Sequence, residues 1–298
     1  MRGARNMTSP VRRVAAVHDL SGFGRASLTV IIPILSTMGV QVCPLPTAVL
    51  STHTGGFAGY RMVDLTPHMR GFMEHWRSLD LRFDAVYSGF LGSDRQISLV
   101  SECVDLFASE DRLVLVDPVL GDDGRPYGPV RPALIRGMRR LVRKARIITP
   151  NFTEACFLLD REYTPSIDTL DMKQWLLGLS DLGPEVVIIT SVPRDRGEGT
   201  STVLAYNRRD GRYWKVDCAY IPASYPGTGD AFASVVLGSL LQGDSLPIAL
   251  DRAAQFATLA IRASFGYGFP PREGVLLERV LDALKAPLTS MTYQIFEW

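Results

Sequence analysis

Cysteine and histidine are scarce, at four of each in 298 residues. Cys43, Cys103, Cys156 and Cys218 are scattered, with no CxxC pair and no histidine at metal-ligand spacing. That pattern excludes a zinc site and a disulfide framework, and it points to reduced thiols in a cytoplasmic protein. No apolar run approaches the ~18 residues of a spanning helix. Neither sign of charge is in excess: the net charge of +1 gives no global field to attract nucleic acid or a membrane. No GxxxxGK[ST] run occurs, so a P-loop is excluded. Ser21-Gly22-Phe23-Gly24 lacks the third glycine of a dinucleotide-binding turn and the ribose-binding acid that would follow it. What the chain does have is apolar residues, 46% of the total, enough for a large core without staples. Met1 to Pro10 carry arginine but no hydrophobic segment. They are expected to form a disordered leader, with a single domain over 11–298.

Apolar periodicity gives an alternating order. Val14 to His18 reads as a strand, followed by the glycine turn Ser21–Gly24, a helix through Leu28, Ile31, Ile32, Leu35 and Met38, and a strand from Val40 to Leu45. Further strands are expected at Asp84–Tyr87, Leu113–Asp117, Arg146–Thr149 and Val186–Thr190. Helices are expected at Gln96–Phe107, Asn151–Leu159, Met172–Leu179, Asp230–Gln242 and Ile248–Ser264. Thr202–Tyr206 and Tyr213–Val216, separated by Arg209-Asp210-Gly211, read as an antiparallel hairpin. The basic run Arg136 to Arg146, interleaved with Leu141 and Val142, reads as the solvated side of an amphipathic helix. Strand–helix alternation of this kind implies an α/β fold with a mostly parallel sheet. Asp19, Ser88-Gly89, Asp117-Pro118, Thr149-Pro150-Asn151 and Thr190-Ser191 each follow a strand directly, at the edge where open parallel sheets bind ligands.

Tyr225-Pro226-Gly227-Thr228-Gly229-Asp230-Ala231-Phe232 carries the most chemistry. Its glycines allow a concave backbone with N–H groups turned inward, at the positive end of the helix that follows. Such a cradle suits an anion, and Asp230 stands where a carboxylate takes a proton from a nucleophile beside it. The same run also reads as a plain glycine turn with Asp230 capping the helix.

Six segments in this order resemble the ribokinase-like superfamily, in particular its pyridoxal and pyridoxamine kinases. They are Asp19–Gly24, Thr47–Gly55, Ser88–Ser93, Asp117–Gly121, Thr149–Glu154 and Gly227–Asp230. The resemblance implies a three-layer α/β/α sandwich around a central, mostly parallel sheet. It implies ATP-dependent phosphorylation of the 5′-hydroxymethyl group of a B6 vitamer. Asp230 would be the general base, and Gly227, Thr228 and Gly229 would cradle the transferring phosphoryl group. Asn151, Glu154, Thr190 and Ser191, with Gly227 and Gly229, would contact ATP. Asp117 and Glu154 would hold Mg²⁺, and a monovalent cation and a homodimer are also implied. Asp19, Ser21, Thr47, His53, Phe90 and Tyr127 would line the acceptor pocket, and Gly121–Gly128 would form a flap closing over it.

Asp19 departs from the serine that many pyridoxal kinases carry, and is closer to the hydroxymethylpyrimidine kinases of thiamin synthesis. A carboxylate there would suit a substrate ammonium or a ring amino group. Hydroxymethylpyrimidine kinase is therefore the enzyme alternative. A non-catalytic vitamer-binding protein on the same fold is the other, and the intact Asp230 argues against it, because a binder needs no base.

Overall fold

The computed structural model describes residues 9–108, 112–164, 167–192, 200–288 and 291–296, so the leader expected over 1–10 falls mostly outside the described residues. The chain begins with β1 (Arg12–Ser21), α1 (Leu28–Thr37), β2 (Val40–Leu50), β3 (Met62–Asp64), α2 (Thr66–Ser78), β4 (Ala85–Ser88), α3 (Asp94–Phe107) and β5 (Leu113–Val116). A two-stranded hairpin, β6 (Gly121–Asp122) and β7 (Arg125–Pro126), precedes α4 (Pro132–Val142), β8 (Ile147–Ile148), α5 (Phe152–Leu159) and α6 (Thr169–Asp181). Then come β9 (Val186–Val192), β10 (Thr200–Asn207), β11 (Arg212–Ala219), α7 (Thr228–Gln242), α8 (Leu246–Gly266) and β12 (Tyr293–Ile295).

Ten of these strands form one sheet in the order β12-β11-β10-β9-β8-β5-β4-β1-β2-β3. The centre, from β2 to β9, pairs in parallel. β3 is antiparallel at one edge, and β10, β11 and β12 are antiparallel at the other. The sheet is buried on both faces, as a parallel sheet requires. Val14, Ala16, Tyr87, Leu115 and Ile188 pack with α1, α7 and α8. Their neighbours Ala15, Val17, Val86, Val116 and Ile189 pack with the helices of the opposite layer. The fold is thus the three-layer sandwich expected.

Most expected elements are present, with β1 and β2 running several residues longer and α8 extending to Leu246–Gly266. The basic run lies on α4, which buries Leu134, Met138, Leu141 and Val142 and turns Arg140 outward. Three elements carry too little signal to be legible. α2 buries only Thr66, Met69 and Met73 and has Gly71 inside it. Edge strand β3 is exposed along its whole length, so no alternation marks it. β12 is three residues long and pairs only with β11.

α7 is apolar around its whole circumference, the signature of a central helix. Ala231 to Ser239 are all buried, and a Cβ at Gly238 would stand 2.6 Å from Met38 Sδ, so α1 crosses it at close range. This packing fixes the start of α7 against the strand ends. Leu237 is fully buried, and Leu237→Ala is expected to cost about 2–5 kcal/mol. Urea unfolding should show a lower midpoint with an unchanged slope.

Candidate active site

The C-terminal ends of the parallel strands and the start of α7 meet in one cleft. Gly227 precedes α7 with φ 81°, a left-handed value that glycine takes without strain. A Cβ there would lie 2.4 Å from the Arg25 carbonyl oxygen, so glycine is also required for space. Thr228 turns its hydroxyl back to the Tyr225 carbonyl at 2.7 Å. The N–H groups of Gly229 and Asp230 lie in the first turn, where helix geometry offers them no carbonyl.

Asp230 is held by the Ser27 N–H, which donates to its Oδ2 at 2.8 Å. The Ser27 hydroxyl donates to Asp19 Oδ1 at 2.6 Å, so one residue bridges two acids. Ser21, at the end of β1, offers a long second bond of 3.5 Å to Asp19 Oδ2. Asp230 keeps part of its surface open to the cleft, yet burial pushes its carboxyl up to about 6. The Ser27 N–H opposes that shift and the Asp19 charge adds to it. Burial raises Asp19 as well, against the stabilising Ser27 hydroxyl.

Asp117, just beyond β5, accepts from the Thr149 hydroxyl at 3.0 Å. A Cβ added to Gly229 would stand 4.0 Å from Asp117 Oδ2, so this carboxylate looks onto the start of α7. Burial, with the Asp230 charge beside it, pushes Asp117 up to about 8. Glu154 is the third residue of a capping box: it accepts from the Asn151 N–H at 2.9 Å and from the Leu120 N–H at 3.1 Å. It too is raised, by burial and then by Asp117. The Asn151 side chain caps Glu154 N–H and donates to the Gly121 carbonyl at 2.8 Å. Its polar atoms thereby tie α5 to the β6–β7 hairpin. Thr190 bridges to Asn151 through the backbone, and Ser191 beside it is exposed with φ 54°.

The hairpin turns on Asp123 and Gly124, at φ 48° and 72°, the two left-handed positions of a two-residue turn. The Gly124 N–H docks on the Thr153 hydroxyl at 2.9 Å. Tyr127 follows it, partly exposed, with its hydroxyl pKa raised by burial and by the charges of Glu154, Asp122, Asp117 and Asp230. The hairpin therefore stands over the acids.

His53 is buried with both ring nitrogens committed. Gly55 N–H donates to Nδ1 at 3.1 Å, which places the proton on Nε2, 2.8 Å from the Arg272 carbonyl. Burial lowers its pKa, so the ring is neutral. Its edge packs on Phe57, with centroids 5.1 Å apart, and Gly24 is needed beneath it, since a Cβ there would come within 2.4 Å. Thr47 is buried on β2, where its carbonyl accepts from Gln96 at 3.2 Å, and Phe90 is half-buried just after β4. The sequence pattern did not single out Ser27. It occupies the N-cap position of α1, where serine is ordinarily read as a cap, but its hydroxyl goes to Asp19 and leaves the cap unmade.

A Mg²⁺ ion typically takes one or two carboxylates and completes its shell with water and phosphate. Asp117 and Glu154 fit that demand: both are buried, the charge of one raises the other, and neither has a cationic partner among the described residues. Among the described residues no group of three or more His, Cys, Asp or Glu is arranged to hold a metal alone.

The family model for phosphomethylpyrimidine kinase matches residues 32–273. The chain is 31% identical to the pyridoxal kinase PdxY of Rubrobacter xylanophilus over 81% of its own length and 83% of that protein's. A Bacteroides thetaiotaomicron protein described as a phosphomethylpyrimidine kinase, crystallised with pyridoxal, is 53% identical. It superposes with a TM-score of 0.93 over 96% of this chain and 100% of that one. The pyridoxal kinase of Lactobacillus plantarum is 30% identical, with a TM-score of 0.84 over 92% of this chain and 96% of that one.

Acids whose folded pKa is raised bind their proton more tightly when folded. Their stabilising contribution is complete below the unfolded pKa of about 4 and is lost as pH rises through the folded value. For Asp230 that value is about 6. Asp230→Asn is therefore expected to stabilise the unliganded protein by about 1–2 kcal/mol at pH 8, a gain that shrinks toward pH 4. Thermal melts of the two proteins across that range measure it; equal melting temperatures at pH 8 would refute the assignment.

Proposed function

The chain belongs to the pyridoxal kinases within the phosphomethylpyrimidine kinase family, and from that premise we infer that it phosphorylates the 5′-hydroxymethyl group of a B6 vitamer, with ATP as donor. The observation that carries the reading is Asp230: a carboxylate with a pKa raised to about 6, fixed by the Ser27 N–H beside the free N–H groups of α7. A base poised near the working pH, next to an anion cradle, is what transfer to an alcohol requires.

Asp230 removes the proton of the acceptor hydroxymethyl as its oxygen attacks the γ-phosphorus. The bond from that phosphorus to the bridging oxygen breaks, and ADP leaves. The N–H groups of Gly227, Gly229 and Asp230 offset the charge on the moving phosphoryl group, and Thr228 keeps the turn in shape, its hydroxyl and N–H both donating to the Tyr225 carbonyl. The nucleotide phosphates run from this cradle toward Asn151, Thr190 and Ser191. Asn151 acts there by holding the capping box rigid, since its own side chain is already engaged. Asp117 and Glu154 would hold Mg²⁺, which when bound would offset the negative charge of the phosphate oxygens. A monovalent cation, a cytoplasmic location and a homodimer complete the reading. The exposed edge strand β3, with Met62 and Val63 in solvent, offers a surface for a second copy.

Thr47, Phe90, Ser21, Asp19 and Tyr127 line the acceptor side. His53 contributes a neutral ring edge to it, because both of its nitrogens are spent. The hairpin from Gly121 to Gly128 closes over the cleft and excludes water from the phosphoryl group. The hydroxymethylpyrimidine alternative is not favoured: the Rubrobacter relative and the Lactobacillus structure are named pyridoxal kinases, and the Bacteroides protein, though described as a phosphomethylpyrimidine kinase, was crystallised with pyridoxal. A non-catalytic binder would have no use for a poised base.

ADP release measured with pyridoxal, pyridoxamine, pyridoxine and hydroxymethylpyrimidine tests the reading. Turnover of the vitamers is expected, and turnover of the pyrimidine alone would sink it. Asp230→Asn should lower kcat by about 10²–10⁴-fold while nucleotide binding survives. Chymotrypsin cleavage after Tyr127, which is exposed in the hairpin, should slow when nucleotide and vitamer are both bound, and equal rates would remove the flap.

A further inference from the structure

Asp19 is an ionisable group buried in the acceptor pocket with no counter-charge from the described residues. It is 5% exposed, and its donors, the Ser27 and Ser21 hydroxyls and its own backbone N–H, are all neutral. The cations nearby are committed elsewhere: Arg25 pairs with Glu278 at 3.0 Å, and Arg272 lies over the Phe57 ring at 5.3 Å. Both neighbouring histidines are neutral. His53 is held as the Nε2–H form by Gly55 and Arg272, and His18, the residue before Asp19, is driven down to about 3 by complete burial. The other charge facing Asp19 is that of Asp230, which has the same sign. A carboxylate buried without a cation is costly, and structures that retain one usually pair it with a ligand or protonate it.

We propose that Asp19 is the counter-charge for a cationic substituent on the acceptor ring, so that the enzyme selects a hydroxymethylpyridine bearing an ammonium group over its neutral analogues. This rests on the B6-vitamer kinase reading. Among the vitamers, pyridoxamine carries an aminomethyl group that is protonated at neutral pH, whereas pyridoxine carries a neutral hydroxymethyl in its place. The geometry has room for the extra bond. Oδ1 is taken by Ser27 at 2.6 Å, whereas the side-chain donor at Oδ2 is the long 3.5 Å approach of Ser21, and the carboxylate keeps acceptor capacity there. An ammonium brings three donors. Bonded to Oδ2, it would neutralise Asp19 and relieve the repulsion between Asp19 and Asp230. Ser27 keeps the two acids at a fixed separation, so a ring anchored on Asp19 presents its hydroxymethyl to Asp230.

The test is kcat/KM for pyridoxamine, pyridoxine and pyridoxal, by ADP release, in the wild type, Asp19→Asn and Asp19→Ser. The ratio of pyridoxamine to pyridoxine is expected to fall about 10- to 100-fold in both variants, as for loss of a charge-assisted hydrogen bond. An unchanged ratio, or equal losses for both vitamers, overturns the inference while leaving the kinase reading in place. If the wild type turns over no vitamer, the kinase reading falls and takes this inference with it. Calorimetric titration of the wild-type protein with each vitamer does not depend on the variants folding. Pyridoxamine should bind about tenfold more tightly than pyridoxine, and equal affinities would overturn the assignment.

Discussion

The crowding of carboxylates at the start of α7 is the constraint on which the rest of the site depends. Asp19, Asp117 and Glu154 are buried, Asp230 is half-buried, and among the described residues no lysine or arginine pairs with them. Like charges in a poorly hydrated cleft raise one another's pKa, and burial does so further. The unliganded protein therefore tolerates this cluster by holding protons on it and by turning backbone N–H groups toward it. Leu120, Asn151 and Ser27 each donate a main-chain N–H to one of the acids. What the cluster lacks is positive charge, and the ligands of a phosphoryl-transfer enzyme bring it as metal or ammonium.

The fold keeps that cluster in place through elements that carry no chemistry. α7 is buried between α8 and α1, and Gly238 lets Met38 come close. The segment from Pro270 to Glu278 straps the acceptor loops from outside. Arg25 N–H donates to the Glu273 carbonyl at 3.0 Å, Gly274 would collide with Arg25 if it bore a Cβ, and the Arg272 carbonyl fixes the His53 tautomer. Residues far apart in the chain thus set the width of the pocket. A substitution in the strap would act on the acceptor without touching it.

The β–turn–α–β alternation and the polar strand exits were legible because a parallel sheet buried on both faces demands continuous apolar strands whose polarity appears only at their ends. Val186–Val192 and Leu113–Val116 show this plainly. α2 and β3 were not legible, since an element that buries two or three side chains leaves no period to find. In the site, the acids were visible as residue types at strand ends. Their hydrogen-bond assignments were not. Asn151 reads as a polar strand-exit residue, and only the fold shows its side chain consumed by a capping box and the Gly121 carbonyl. His53 reads as a residue lining the acceptor pocket, and only the packing of Gly55 and Arg272 shows both nitrogens occupied.

Ser27 shows why the local sequence misleads at this spot. Its backbone, at φ 54° and ψ −129°, lies in a region a non-glycine residue enters at a cost on the order of 1–3 kcal/mol. Glycine would adopt that backbone freely and would keep the N–H that holds Asp230, but it would lose the hydroxyl that holds Asp19. Alanine would meet the same strain and also lose the hydroxyl. Serine is thus the smallest side chain that lets one residue hold both carboxylates, from the main chain on one side and the side chain on the other. The strained backbone is what allows both bonds at once, because it turns the N–H toward one acid and Oγ toward the other. The separation of Asp19 from Asp230 is accordingly set by the bonds of a single residue, which makes it hard to vary without loss of the base, the anchor or both.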